Sequence, residues 1–295
     1  MPRRILVLGS GGRLGAALVR EWQAAGDQVI GLNRQQLDIG NLPRIRETLE
    51  PLQFDVVVNC AALTNVDYCE THEEEAFRIN GDAVRVIAEA CNAKGARCVH
   101  ISTDYVFDGQ KTEAYREEDE ALPISVYGAS KLRGETELHA VLASHLAVRV
   151  SWVFGPDRPS FVDQILKRAL EHDIAQAIAD KTAVPTYTLD AAKLLRPLLE
   201  PNAAGGVVHL CNAGACTWQE YGQFALDRAA EAGVPLRTQT VLPQRMVELT
   251  AFIAKRPVYT AMATSKLTQL TGTSPRSWQD AVADYVETEW APRHR

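Results

Sequence analysis

The chain has 295 residues, 46% of them hydrophobic, with 31 Lys and Arg against 37 Asp and Glu for a formal net charge of −6. That length holds one large domain or two modest ones, and the acidic balance argues against non-specific nucleic-acid binding and against an anionic membrane surface. No window is apolar over a bilayer-spanning length, the N-terminus reads as a strand and not as a signal peptide, and Cys60, Cys69, Cys91, Cys98, Cys211 and Cys216 form no Cys-x-x-Cys pair.

The cysteines sit mostly in apolar or helical contexts and read as reduced, packed thiols, which points to the cytoplasm. Cys211 and Cys216 are close in sequence, but no His or Asp pair completes a site with them, and no metal is expected.

In chain order, Ile5 to Leu8 predicts a strand, Gly9-Ser10-Gly11-Gly12-Arg13-Leu14-Gly15 a glycine turn, and Leu14 to Ala25 a helix with Leu14, Ala17, Leu18 and Trp22 on one face. A strand over Gln28–Leu32 and a short helix over Leu42–Leu49 follow. Asp55 to Cys60 predicts a buried strand, Glu73 to Lys94 a long helix, Arg97 to Ser102 a strand, Tyr127 to Ala143 a helix and Ala147 to Val153 a strand. Helices are expected again over Asp163–His172 and Leu189–Leu199, with a further strand over Gly206–Cys211. An amphipathic helix over Trp218–Gly233, a Pro/Arg-rich stretch and a last helix over Ser277–Trp290 complete the chain.

Strands separated by helices imply right-handed crossovers and a doubly wound parallel sheet of the Rossmann type. The expected α/β organisation is a dinucleotide-binding region over 1–153, to which segments near 160–172 and 188–212 return. A smaller, interleaved α/β substrate region takes most of 154–295. Such folds bind ligands beyond the carboxyl ends of their strands. Gly9, Asn33, Asn59-Cys60-Ala61-Ala62, Ser102-Thr103-Asp104 and Ser151-Trp152 all fall at those ends.

The chemistry is concentrated in three places. Glycines at 9, 11, 12 and 15 suit a tight turn whose backbone approaches a pyrophosphate, with the free N–H groups of a helix start behind it. Tyr127 and Lys131, four residues apart, share a helical face, where a cation would favour the phenolate and let the tyrosine pass a proton near neutral pH. The hydroxyl of Thr103 can hold the same substrate oxygen. After the second strand, where an acidic residue would bind the ribose 2′-hydroxyl of NAD, the chain has Asn33-Arg34. No carboxylate there repels a 2′-phosphate and Arg34 could pair with it, so NADP(H) is expected in preference to NAD(H), with dual use open.

The Gly9-x-x-Gly12-x-x-Gly15 and Tyr127-x-x-x-Lys131 patterns resemble those of the extended short-chain dehydrogenases/reductases. Finer blocks narrow the resemblance: Asn59 to Asp67, Ser102-Thr-Asp-Tyr-Val-Phe-Asp-Gly109, Tyr127 to Glu135, Arg149 to Gly155, Val184 to Thr188, and Arg256-Pro257. Across nearly the whole chain they are similar to the branch that reduces the 4-keto group of dTDP-4-dehydrorhamnose. The resemblance implies Thr103, Tyr127 and Lys131 as catalytic residues. It implies a cofactor held by Gly9, Gly11, Gly12, Arg13, Leu14 and Gly15, flanked at the adenine by Asp38 and Ile39. Cys60, Ala61 and Ala62 complete that site, with Asn80 propping it from the long helix. For the nucleotide sugar it implies Thr64, Val66, Thr103, Asp104 and Trp152, with Arg256 on the diphosphate.

The resemblance allows a homodimer, but no carboxylates here map onto the acidic, Mg²⁺-linked dimer contact of some rhamnose reductases. Two other readings stay open. One is an epimerase, or a reductase acting on another nucleotide sugar. The other is a non-catalytic NADP-binding regulatory subunit.

Overall fold

The computed structural model describes residues 3–142, 144–200 and 203–295. Six strands form one sheet: β1 (Arg4–Leu8), β2 (Gln28–Leu32), β3 (Val56–Asn59), β4 (Arg97–Thr103), β5 (Leu146–Val150) and the strand Gly206–His209. From edge to edge the order is Gly206–His209, β5, β4, β3, β1, β2, with every pairing parallel. Leu6 lies opposite Ile30 of β2 and Val57 of β3.

The central runs of β1, β3 and β4 are apolar on both faces because helices cover both sides of the sheet. Ile5, Val7, Val56, Val58 and Val99 pack on one side with Leu14, Leu18 and Trp22 of α1 (Arg13–Ala24) and with Ala191, Ala192 and Leu195 of the helix Thr188–Leu195. Trp22 Nε1 donates to the Ala192 carbonyl at 2.9 Å, so its buried polar atom has a partner. Leu6, Leu8, Val57 and Cys98 face the other side, against Ile45, Val84, Ile87 and Leu138. The winding reverses between β1 and β3, and a crevice opens beyond their carboxyl ends.

Three expectations change. The long helix over 73–94 is α-helical at Glu73–Phe77 and Ala83–Ala93 but a π-helix at Arg78–Asp82. This bulge carries Asn80 and presses on the helix Val126–Val141, where a Cβ on Gly134 would come 2.2 Å from the Asn80 carbonyl. That second helix was expected to reach Ala143, which lies outside the described residues. The strand expected to continue to Val153 stops at Val150, because Trp152 takes a left-handed backbone, φ 41°. The helix Phe161–Glu171, expected with the sheet, instead puts Val162, Ile165, Leu166 and Ala169 into a separate cluster. There they meet Phe154, Tyr187, Tyr221, Trp278, Val282 and Tyr285.

The last helix spans Trp278–Asp284 and finishes as a π turn over Tyr285–Trp290. Among the described residues no helix is long and apolar enough to cross a membrane.

Candidate active site

A cleft of about 1060 Å³ lies over the carboxyl ends of the sheet. Its floor at one end is the glycine turn. Gly9, at φ 76°, receives no alternative residue: a Cβ would come 2.7 Å from Ala61 N. Gly12 caps α1 without a side-chain hydrogen bond, and its own N–H turns back to the Gly9 carbonyl at 2.9 Å. The first-turn amides of α1 therefore face the cleft with the positive end of the helix dipole. A Cβ on Gly11 would meet nothing nearer than 3.4 Å, so the turn offers open backbone to a ligand. These residues fit a dinucleotide pyrophosphate.

Asn33, Arg34, Asp38 and Ile39 line the adenine-side end. Arg34 is 80% exposed and 3.6 Å from an Asp38 oxygen. Arg78 of the π-helix lies with Arg34 and Asp38 around an adjoining hollow of about 490 Å³, a second cation that sequence spacing did not single out. Cys60, Ala61 and Ala62 follow β3 along the wall, and Thr64 and Val66 lie beyond them.

The reacting end is built by β4 and the helix Val126–Val141. Ser125 caps that helix by accepting from Gly128 N at 3.2 Å. Gly128 must be glycine because a Cβ would lie 2.1 Å from the Tyr105 carbonyl, so the first turn abuts the end of β4 and Tyr127 meets Thr103. Thr103 Oγ1 accepts from Tyr105 N at 3.2 Å and donates to Asp104 Oδ1 at 3.1 Å. Thr260 donates to Asp104 Oδ2 at 2.6 Å. Burial raises the Asp104 carboxyl, opposed by Lys181 and by hydrogen bonds from Thr260, Ser151 and Thr103.

Burial also raises the Tyr127 phenol; hydrogen bonding with Thr103 opposes that, and the negative charge of Asp104 adds to it. Lys131 is buried, donates to the Ile101 carbonyl at 2.7 Å and lies 3.0 Å from His100 Nε2. Burial brings its amine down to about 8. The expected lowering of the phenol by Lys131 is thus not what this arrangement does: the phenol keeps its proton, as a proton donor must at neutral pH.

Trp152 follows β5 and lines the cleft, while its ring packs edge-on to Trp218 at 5.4 Å and stacks near Tyr221 at 6.1 Å. It is both a cleft residue and part of the second core. Three expected site residues, Gly15, Arg13 and Arg256, are placed differently from expectation, while Asn80 braces the cleft wall from behind. Gly15 is beneath the turn, where a Cβ would lie 2.4 Å from the Gly9 carbonyl. The Arg13 guanidinium, at the cleft wall, is taken up by the Val153, Arg158 and Pro159 carbonyls. Asn80 is fully buried, accepting from Leu63 N at 2.9 Å and donating to the Leu63 carbonyl and to Ser130 Oγ. Arg256 is bound by both nitrogens to the Asp67 carboxylate at 3.0 and 2.6 Å and stacks 3.6 Å over Phe252, so its fork is taken before any diphosphate arrives.

Residues missed by sequence reasoning reach the site from afar. Arg158 donates to the Gly11 carbonyl at 3.0 Å across 147 positions, and Lys181 is buried beside Asp104 and 4.9 Å over the Tyr105 ring. No local pattern marks either one.

A parallel doubly wound sheet with a glycine turn, and a Thr103/Tyr127/Lys131 set at its carboxyl edge, define an extended short-chain dehydrogenase/reductase. Within that class the chain belongs to the family described as the RmlD substrate binding domain, whose model matches residues 3–290. It is 34% identical to the spore coat polysaccharide biosynthesis protein SpsK of Bacillus subtilis (strain 168), over 96% of this chain and 97% of that protein. It is also 34% identical to the dTDP-4-dehydrorhamnose reductase of Burkholderia thailandensis, over 95% of this chain and 96% of that enzyme. The crystal structure of dTDP-4-dehydrorhamnose reductase from Bacillus anthracis in complex with NADP superposes with a TM-score of 0.89 at 29% identity, covering 97% of this chain and 99% of that one.

Proposed function

We propose that the protein reduces the 4-keto group of a nucleotide-activated 6-deoxysugar, dTDP-4-dehydrorhamnose, to the alcohol of dTDP-rhamnose. The observation that carries this reading is the meeting of Thr103, Tyr127 and Lys131 in one cleft with the glycine turn. A bound reduced nicotinamide dinucleotide, NADPH before NADH, supplies the hydride. Thr103 holds the sugar oxygen by its hydroxyl. Tyr127, kept protonated by burial, gives its proton to that oxygen as charge develops on it, and so stabilises the transition state more than the ketone. Lys131 supplies positive charge beside the phenol once it turns from the Ile101 carbonyl towards the cleft. Trp152, Thr64 and Val66 form the wall against which the sugar is oriented, and Asn80 fixes the loop of Leu63 behind it.

The free thiols of all six cysteines favour a cytoplasmic setting. A homodimer remains part of the proposal by family likeness alone.

The test is NADPH oxidation with dTDP-4-dehydrorhamnose, followed by nicotinamide absorbance, with Tyr127→Phe as control. Turnover should fall about 10²- to 10⁴-fold in the variant, with NADPH affinity within about twofold of the parent by fluorescence titration, since the phenol hydroxyl is not what binds most of the cofactor. Full turnover without the phenol would remove Tyr127 as the acid. Tight NADPH binding without any turnover would favour another nucleotide sugar or a regulatory subunit.

A further inference from the structure

We propose that His100 is a positioning residue that governs the protonation of Lys131, through a one-way hydrogen-bond link that begins at Asn59. The orientation of the Asn59 amide is fixed, because its Oδ1 accepts from Ala61 N at 3.1 Å. Its Nδ2 is therefore the group 3.2 Å from His100 Nδ1. An amide nitrogen only donates, so Nδ1 must be the bare acceptor and the single ring proton lies on Nε2. That N–H faces Lys131 Nζ at 3.0 Å. The contact is a hydrogen bond only when Nζ offers a lone pair, that is, as the neutral amine, which still donates to the Ile101 carbonyl at 2.7 Å. An ammonium in the same place would oppose two donors.

The ring cannot relieve this by taking a second proton, since Nδ1–H would then point at the Asn59 amide. Burial leads in holding the imidazole well below its usual range.

The other groups around the pair do not replace this control. Glu135, on the helix that carries Lys131, is clamped by Arg149 at 2.9 and 2.7 Å and by Ser102 at 2.5 Å. Cys60, at the end of β3, is pushed up to about 12 by burial and stays a neutral thiol. Gly134 closes the last side, where a Cβ would lie 3.2 Å from His100 Nε2. Lys131 thus has two states: an amine parked on His100, and an ammonium turned into the cleft beside Tyr127. Loss of its proton to solvent captures it in the first and removes it from the reaction.

The test has two arms, and only the second rests on the reductase reading. In the ¹⁵N-labelled native protein, imidazole nitrogen shifts should show His100 protonated at Nε2 and bare at Nδ1 from pH 6 to 9. A proton on Nδ1, or titration to the imidazolium in that range, overturns the proposal. In the second arm, Asn59→Asp presents a carboxylate that accepts from Nδ1–H, so the tautomer inverts and Nε2 becomes an acceptor for an ammonium. The alkaline limb of kcat/KM should move up by about one pH unit, with the inverted ¹⁵N pattern in the same variant. Introduced into His100→Leu, the same Asp should move the limb by less than half as much. An equal shift in both backgrounds would show that added charge, not the ring, is responsible, and the proposal fails.

Discussion

Arg34 and Tyr127 are opposite kinds of site residue. The Arg34 side chain is 80% exposed and held only by a 3.6 Å approach to Asp38, so its removal leaves the fold intact. A guanidinium on a 2′-phosphate contributes about 1.5–3 kcal/mol as a charge-assisted bond. Arg34→Ala should therefore weaken NADPH at least about tenfold and NADH less than about twofold, read by calorimetric titration of both. Equal losses would place the phosphate elsewhere, with Arg78 across the adjoining hollow as the next candidate. Tyr127 is instead half-buried in the cleft wall, and its chemistry follows from the desolvation of its phenol there. The motif marks Tyr127 as the candidate donor, but the protonation state comes from burial, Thr103 and Asp104, contributed by the end of β4 23 or more positions away in the chain.

Elements meet here through glycines and one carboxylate. Gly15→Ala places a methyl 2.4 Å from the Gly9 carbonyl, which forces α1 away from the turn. Overpacking of this kind costs about 1–3 kcal/mol, so a fall in melting temperature should accompany weaker binding of both nicotinamide cofactors; unchanged binding would show the turn is not the pyrophosphate seat. Asp67, in the helix Val66–Thr71, ties the cleft wall to the C-terminal loop by accepting from Ile253 N at 2.8 Å, Ala254 N at 2.9 Å and both Arg256 nitrogens. The Arg256 bonds lead in holding its carboxyl down to about 2.

A depressed carboxyl stabilises the fold fully above its unfolded value near 4 and loses that effect as pH falls towards 2. Because the pair is partly solvated, Asp67→Asn should cost about 1 kcal/mol at pH 7 and raise the KM for the sugar more than that for the cofactor, since Val66 and Thr64 stand on the same segment. The stability difference from the parent should shrink in urea titrations as pH falls from 4 to 2; a difference unchanged over that range would assign the effect to packing.

Over the whole molecule, buried thiols and phenols outnumber buried amines. Burial raises Cys60, Cys69, Cys211 and Cys216 above their ordinary value of 9, a hydrogen bond with Cys98 and then burial raise Cys91, and burial raises Tyr105, Tyr127, Tyr187, Tyr221 and Tyr285 likewise. For such groups the native state holds protons that the unfolded chain gives up, so their contribution is complete below the unfolded value and is lost as pH rises. Lys131 and Lys181, brought down to about 8 by burial, act in the opposite sense between 8 and 10.5. Urea midpoints should accordingly fall between pH 9 and 11, and the slope should be shallower in Cys211→Ala. A flat profile in the parent would mean that these thiols are not buried in the native state.

The sequence alone determined the sheet and which chemistry-bearing residues stand at its carboxyl edge. Alternation of apolar strands with helices leaves few topologies, and glycines are legible where a turn admits nothing else. Tyr127 and Lys131 are legible because helical spacing is local. What lay beyond it are the features that depend on contacts between distant segments. The helix Phe161–Glu171 joined the second core, where its apolar stripe shares a cluster with Tyr221 and Trp278 from distant segments. Arg256 was taken by Asp67, 189 positions away. Lys131 was turned to His100 and the Ile101 carbonyl. A side chain's type is written in the chain, but its charge state and its partner are decided by burial and by whichever groups the fold brings within hydrogen-bond reach, and only the tertiary structure supplies those.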